Sequence, residues 1–249
     1  MDGYLELSQL NIFIKPLNRV DKMKGIQINN LVKTIDKFGV KVVPMKKTLK
    51  LVDDAHISML TVERLGGMPV FGVEQATRSI KIKDIMKMNI DRSIEYETIY
   101  DENDTKATFR LESEKKSYEF NVDVWDEHEP TVPIIDNEVM DHFDIEAFED
   151  FIKSAKNLSD FIEIRNSNDG MIRASVETKD SRFKALVGAN TPKTRNEIES
   201  KYAVDYFTNL VPLMGKDTVL TFDTDYPCKF TWTDGYYRYN YLLAPRIEC

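Results

Sequence analysis

Cysteine is scarce in this sequence, with two in 249 residues, Cys228 and Cys249. Two thiols cannot make a disulfide framework, and such sparing use fits a reducing interior, a cytoplasm or a nucleus. The sequons Asn103-Asp-Thr and Asn157-Leu-Ser are then chance matches. Long apolar runs are also missing. None approaches the roughly 18 residues that a membrane span needs, so no membrane partner is expected. The start, MDGYLELSQL, has neither the basic residues nor the apolar stretch of a signal peptide.

Glycine is thin, ten residues scattered along the chain, and no Gly-rich phosphate loop can be built from them. The three histidines, His56, His128 and His142, have no metal-ligand spacing with one another or with either cysteine. The stretch from Asp101 to Glu112 echoes a calcium loop. It lacks the glycine required at its sixth position and is flanked by strand-like runs, so it reads as a hairpin loop. Asp223 and Asp225 suggest paired carboxylates, but Thr224-Asp-Tyr-Pro-Cys228 reads as a turn. No cofactor, no metal and no enzymatic activity are expected, and a metal-dependent nuclease is disfavoured for want of a ligand cluster.

A basic excess is missing too. Lysine and arginine number 34 against 42 aspartates and glutamates, a net charge of -8. That argues against a simple nucleic-acid binder. It leaves room for lysines gathered on one face while acid covers the rest. The length suggests one large domain or two of about 125 residues.

What is present is a few short amphipathic segments among many alternating ones. Ile28, Leu31, Val32 and Ile35 make one apolar stripe, which predicts a helix over Ile26–Phe38 stopped by Gly39. A short helix is predicted over Lys83–Met88. A third covers Ile145–Leu158, with Phe148, Phe151, Ile152 and Ala155 in the stripe and Asp144 as N-cap. A fourth covers Ala203–Val211, ended by Pro212, with Ala203, Phe207, Leu210 and Val211 inward. Strand-like runs include 93–100, 107–112, 117–124, 161–165, 171–178, 182–187, 218–222, 229–232 and 236–243. Asp169-Gly170 and Asp234-Gly235 are hairpin signals. The order of elements repeats: helix, strand-like runs, second short helix, hairpins. Sequence identity between the halves is negligible, so the repeat is topological. Trp125-Asp-Glu-His-Glu-Pro-Thr-Val-Pro133 is acidic, carries two prolines and reads as an extended connector.

Several segments, in order, resemble archaeal and eukaryotic PCNA, the ring-shaped DNA sliding clamps. Tyr241-Leu-Leu-Ala-Pro-Arg-Ile-Glu248 resembles their C-terminal tail. Val52-Asp-Asp-Ala-His-Ile-Ser-Met-Leu60 is similar to their Met-Asp-Ser-Ser-His-Val-Ser-Leu-Val stretch. Val132-Pro133 falls where the interdomain connecting loop carries an apolar-proline pair. Phe148 to Ile164 matches the first helix and strand of the second domain without a gap. Val204–Leu213 matches its last helix, and Asp225-Tyr-Pro227 the turn beyond.

The resemblance implies an α+β DNA-clamp fold with two similar domains per subunit, over residues 1–124 and 140–249, joined by a connecting loop over 125–139. It further implies a pseudo-sixfold ring made by a trimer, helices lining a central channel and antiparallel sheets outside. The implied role is a non-catalytic DNA polymerase processivity factor. Its partners would be double-stranded DNA, contacted without regard to sequence, and DNA polymerase, clamp loader and other proteins carrying a PCNA-interacting peptide. The implied location is intracellular: cytoplasm for an archaeal source, nucleus or viral replication site otherwise.

Three surfaces follow. Lys33, Lys37, Lys83, Lys87, Lys153 and Lys156 lie opposite the apolar stripes. Lysines on flexible stems suit loose phosphate contact without base reading; periodicity alone gives an ordinary solvated helix face. Asp36, Glu149 and Asp150 interrupt the pattern, and Asp205 and Asn209 stand where the family often places a basic residue. Val52, Ile57, Val132, Pro133, Pro227, Leu242, Leu243, Ala244 and Pro245 match the family's apolar pocket for a peptide with a glutamine and paired aromatics. Read without the family, the same residues are equally plain core. Leu242 replaces a common aromatic there. Lys116, Tyr118 and Phe120, with Arg182, Phe183 and Leu186, match the edge strands that join neighbouring subunits; otherwise they are solvent-exposed edges blunted by charge. The departures keep a second reading open, a regulatory clamp homologue that binds a clamp or polymerase without encircling DNA.

Overall fold

The computed structural model describes residues 21–103, 106–126, 128–135, 142–189 and 197–247. The N-terminal residues 1–20, Asp104 and Thr105 of the calcium-like loop, residues 136–139 of the connector with 140 and 141 after it, and Cys249 lie outside them. In chain order the first half carries β1 (Asp21–Lys24), α1 (Gly25–Phe38), β2 (Val42–Met45), β3 (Thr48–Val52), β4 (Ser58–Arg64), β5 (Gln75–Lys81), α2 (Ile82–Lys87), β6 (Glu95–Glu102), β7 (Ala107–Glu112), β8 (Ser117–Asn121) and β9 (Asp123–Val124). The second carries β10 (His142–Phe143), α3 (Ile145–Ala155), β11 (Phe161–Asn166), β12 (Met171–Glu177), β13 (Arg182–Ala189), β14 (Ile198–Ala203), α4 (Asp205–Thr208), β15 (Val219–Thr221), β16 (Cys228–Thr233) and β17 (Tyr237–Leu243).

The helices form where the apolar period demands. Ile28, Leu31, Val32 and Ile35 are all buried on α1. At its start Gln27 Oε1 accepts from the Lys24 N–H at 2.6 Å. At its end Gly39, at φ 96°, donates back to the carbonyls of Ile35 and Asp36, a left-handed cap that glycine adopts without steric cost. Gly25 is fixed by a close approach: a Cβ there would sit 1.9 Å from the Asp91 carbonyl oxygen. On α3, Asp144 Oδ1 caps the Ala147 N–H at 2.9 Å, as the sequence predicts. The fourth helix is shorter than predicted. Ala203 pairs with Phe161 as the last residue of β14, so α4 begins at Asp205. Its continuation tightens into a 3-10 turn at Val211–Leu213 around Pro212, which has no N–H to give. Phe207, Leu210 and Val211 still face the core.

Among the described residues four antiparallel sheets result, ordered β1-β6-β7-β8, β2-β5-β9, β10-β13-β12-β11-β14 and β15-β16-β17-β4-β3. The last draws on both halves of the chain. β17 pairs with β4 from Tyr237↔Arg64 to Leu243↔Ser58, which sets the C-terminal tail against the β3–β4 turn. The helices make one layer. α1 contacts α2, α3 contacts α4, and the C-terminal end of α1 faces α4 across a cleft of about 270 Å3 lined by Lys37, Phe38, Asp205, Tyr206 and Asn209. The order across the layer is therefore α2, α1, α4, α3.

The second-half core is an aromatic cluster. Phe148 lies with its centroid 5.3 Å from Phe143, 5.4 Å from Phe207 and 5.9 Å from Phe230. Rings interlocked this way leave little freedom to collapse around a void. Phe148→Ala is expected to cost about 3–5 kcal/mol of stability, measured by chemical denaturation; a loss under about 1 kcal/mol would mean that the cluster repacks.

Candidate interaction surfaces

The six lysines of the helix faces are all exposed. They are not equally available. Lys153 Nζ sits 3.0 Å from Glu149 Oε1 and 3.2 Å from Asp150 Oδ1. Those two carboxylates, Glu149 foremost, raise its pKa. Lys87 Nζ lies 3.3 Å from Asp84 Oδ1. Lys33, Lys37, Lys83 and Lys156 have no ion-pair partner among the described residues. α4 offers only Asp205 and, at its end, Asn209.

The second surface is built at the end of the sheet that joins the two halves. Asp53 shapes the β3–β4 turn: its Oδ1 accepts from the N–H groups of Ile57 (2.8 Å) and Ser58 (2.6 Å), and the Tyr206 hydroxyl donates to Oδ2 at 3.3 Å. His56 turns the chain at φ 59°, and Ile57 is presented outward, 41% exposed. The tail locks alongside, its Ala244 N–H donating to the Ile57 carbonyl at 3.0 Å. Beyond it the Arg246 N–H donates to the Lys201 carbonyl on β14 at 2.8 Å, and its guanidinium lies 3.8 Å above the Phe161 ring. β16 runs beside the tail with Cys228 opposite Leu243, so Pro227 ends up next to Ala244 and Pro245. Ile57, Pro227, Ala244 and Pro245 are thus brought together.

Leu242 and Leu243 are not surface residues. They are 5% and 0% exposed, at the end of β17, a strand paired on both sides, with β16 and with β4. They support the surface from beneath. The connector lies along β3 because the Glu129 carboxylate bridges Lys50 Nζ (2.6 Å) and Lys46 Nζ (3.1 Å); the two ammonium groups, Lys50 first, lower its pKa. Between them runs a groove of about 420 Å3 lined by Val40, Leu51, Val52, His56, Trp125, His128 and Pro130. Trp125, His128 and Pro130 form the connector wall of that groove. Val132 and Pro133, predicted for this role, are half-buried and exposed respectively and follow beyond it.

The third surface is a pair of strand edges. β8 is outermost in its sheet. Among the described residues β13 has a strand partner on its outer side only at its end, where β10 meets Ala189 and Gly188. Tyr118 is half-buried against Tyr96, 5.7 Å between centroids, and Lys116 Nζ lies 3.1 Å from Asp91 Oδ2. The Asp91 carboxyl is held down to about 2 by the Ser93 hydroxyl and N–H and then by Lys116. Phe120 is a correction: it is buried, stacked on Phe109 at 6.0 Å, and belongs to the core. Phe183 stacks on Phe151 at 5.2 Å, and Arg182 Nε is 3.7 Å from Glu177 Oε2. Leu186 stands open, 56% exposed.

No protein-family model and no curated relative matches this sequence. Solved structures do. A complex of the C-terminal region of FEN-1 bound to A. fulgidus PCNA matches over 92% of this chain and 99% of that one, with a TM-score of 0.72 at 18% identity. PCNA from Thermococcus kodakaraensis matches over 90% of this chain and 98% of that one, with a TM-score of 0.69 at 16% identity. This chain has the PCNA-type clamp fold.

Within the clamp fold, several surface residues escaped the sequence reading. Tyr226 and Ile247 are exposed apolar groups flanking Pro227 and Pro245, and both sit inside segments that carried the resemblance. Trp125 and His128 open the connector, where acidity and proline are the stronger signals. Arg246 gave no signal beyond the tail match, since its partner Phe161 is distant in sequence. Among the described residues no group of three or more histidine, cysteine, aspartate or glutamate side chains could hold a metal. Cys228 is buried, which pushes its thiol pKa up.

Proposed function

We propose that the chain is one subunit of a sliding clamp: a non-catalytic ring that closes as a trimer around duplex DNA and tethers DNA polymerase and other replication and repair proteins. The domains would be 1–124 and 140–249 with the connecting loop at 125–139, and the ring would work inside the cell. The observation that carries this reading is a clamp fold over nearly the whole chain with two strand edges left open among the described residues, that of β8 and that of β13 over 182–186, in separate sheets. Strand edges left bare invite pairing, and a head-to-tail contact between two different edges generates a ring when the rotation closes. Duplex DNA would meet the helical layer without base reading. Clamp loader, polymerase and other partners would dock a PCNA-interacting peptide on the Ile57–Pro245 surface; the similarity to a PCNA bound to the C-terminal region of FEN-1 supports that mode.

Light scattering on the purified chain tests the ring. The expected mass is about three times 28.9 kDa; a monomer at high concentration would overturn the homotrimer. A specific observation favours a second reading, a regulatory homologue that binds a clamp or polymerase without encircling DNA. Within the helices proper, cap residues aside, five lysines stand against Asp36, Asp84, Glu146, Glu149, Asp150 and Asp205, so they have no net positive charge. A monomeric chain that binds a partner clamp or polymerase would establish that alternative.

A further inference from the structure

The helical layer changes sign along its length. α2 and α1 carry Lys83, Lys87, Lys33 and Lys37 against Asp84 and Asp36. α4 and α3, with the cap residue Lys156, carry Lys153 and Lys156 against Asp205, Glu146, Glu149 and Asp150. Pairing sharpens the contrast. In the first pair Lys33, Lys37 and Lys83 are free of acidic partners among the described residues. In the second, Lys156 is free and Glu146 is answered from outside the helices by Lys216 Nζ at 2.8 Å, but Lys153 is held by both Glu149 and Asp150, so a phosphate would have to compete with two carboxylates for it. Asp150 itself is largely exposed, its side chain 80% open, and Asp205 is exposed on α4. Phosphate oxygens approaching that half meet charge of their own sign.

We infer that duplex DNA is held through α1 and α2 alone, and that α4 and α3 form a phosphate-repelling half of the same layer. The inference rests on the encircling reading above. In a three-subunit ring it gives three adhesive sectors alternating with three repulsive ones, so the lining has threefold rather than sixfold electrostatic symmetry. Each adhesive sector offers few phosphate contacts, which keeps attraction weak and mobile, since affinity and its salt dependence grow with the number of phosphates neutralised.

Three double variants of the intact protein test this by anisotropy titration of a short labelled duplex of arbitrary sequence across a salt series. All substituted side chains lie on the helix surface, so the ring should be unaffected. Lys33→Ala with Lys37→Ala is expected to weaken binding roughly tenfold and to flatten the salt slope by about 1 for each phosphate no longer neutralised. Lys153→Ala with Lys156→Ala should change affinity less than about twofold. Glu149→Gln with Asp150→Asn should strengthen binding, because it removes repulsion and releases Lys153. Equal losses from the two lysine pairs, or no gain from the acid pair, would overturn the inference while leaving encirclement intact. A wild-type trimer that binds no duplex at low salt would overturn encirclement itself, and this inference with it.

Discussion

Leu186→Asp and Tyr118→Ser are each expected to run as monomers of about 28.9 kDa, and to form a one-to-one dimer when mixed. The ring contact joins two different edges, β8 of one subunit and β13 of the next. Leu186→Asp spoils β13 and leaves β8 intact; Tyr118→Ser does the reverse. Mixed together, the two variants share one good pair of edges. That contact forms, the two spoiled edges remain at the ends, and growth stops at two subunits. Leu186 is the cleaner probe because it is 56% exposed in the single subunit, so a carboxylate costs little until a neighbour covers it. The missing apolar burial alone is about 1–1.5 kcal/mol per interface, roughly a five- to tenfold weakening, and a closed ring forfeits it three times over, before the cost of desolvating the new carboxylate. Phe183 and Phe120 would make poor probes. The first stacks on Phe151 and the second on Phe109, so charge there would disturb the fold as well as the contact. Light scattering decides. Single variants that keep the trimer mass, or mixtures that stay monomeric, would mean that β8 and β13 are not partners.

The apolar period of α1 and α3 was legible because local packing alone enforces it, and so was the Asp144 cap. β14 was not. Its buried face runs Ile198, Ser200, Tyr202, and the polar Ser200 breaks the alternation that marks a strand. β5 fails similarly, with Ser79 buried next to Ile80 in Gln75–Lys81. Neither is fixed by its own residues; each is held by the strands on which it lies. The pairing of β17 with β4 joins residues far apart in sequence, and no local pattern announces it. That pairing decides which tail residues are surface. Alternation would place Leu242 and Leu243 on opposite faces, one of them accessible, yet at this end of β17 both are buried. The charge layout of α3 lies between these extremes. Glu149, Asp150 and Lys153 have the i,i+3 and i,i+4 spacing that pairs side chains on a helix, while the neighbouring order of α4 and α1 needed the fold.

Ile57→Glu is expected to weaken docking of a synthetic peptide carrying a glutamine and paired aromatics on the order of 10- to 100-fold, with the ring and its melting temperature unchanged. Ile57 is held outward by a turn that Asp53 locks with two short N–H contacts. Its carbonyl is tied to the tail through Ala244. The tail is fixed in turn by Arg246, through its backbone contact to Lys201 and its stacking on Phe161. The prolines at 227 and 245 stiffen the remaining border. Little ordering entropy is then spent when a peptide arrives, so burial counts almost in full. Burying the part of Ile57 still exposed is worth about 1 kcal/mol, and each 1.4 kcal/mol is a factor of ten. A carboxylate in its place loses that burial and must also be desolvated, which carries the effect past about tenfold. Leu243→Asp should behave differently. It sets a charge inside the sheet that unites the two halves of the chain, so loss of folding is expected rather than selective loss of docking. Calorimetric titration of wild type and both variants, with thermal melts alongside, separates the outcomes. Wild-type binding in the micromolar range with a selective loss in Ile57→Glu supports the surface; equal affinity in wild type and Ile57→Glu would place the docking site elsewhere.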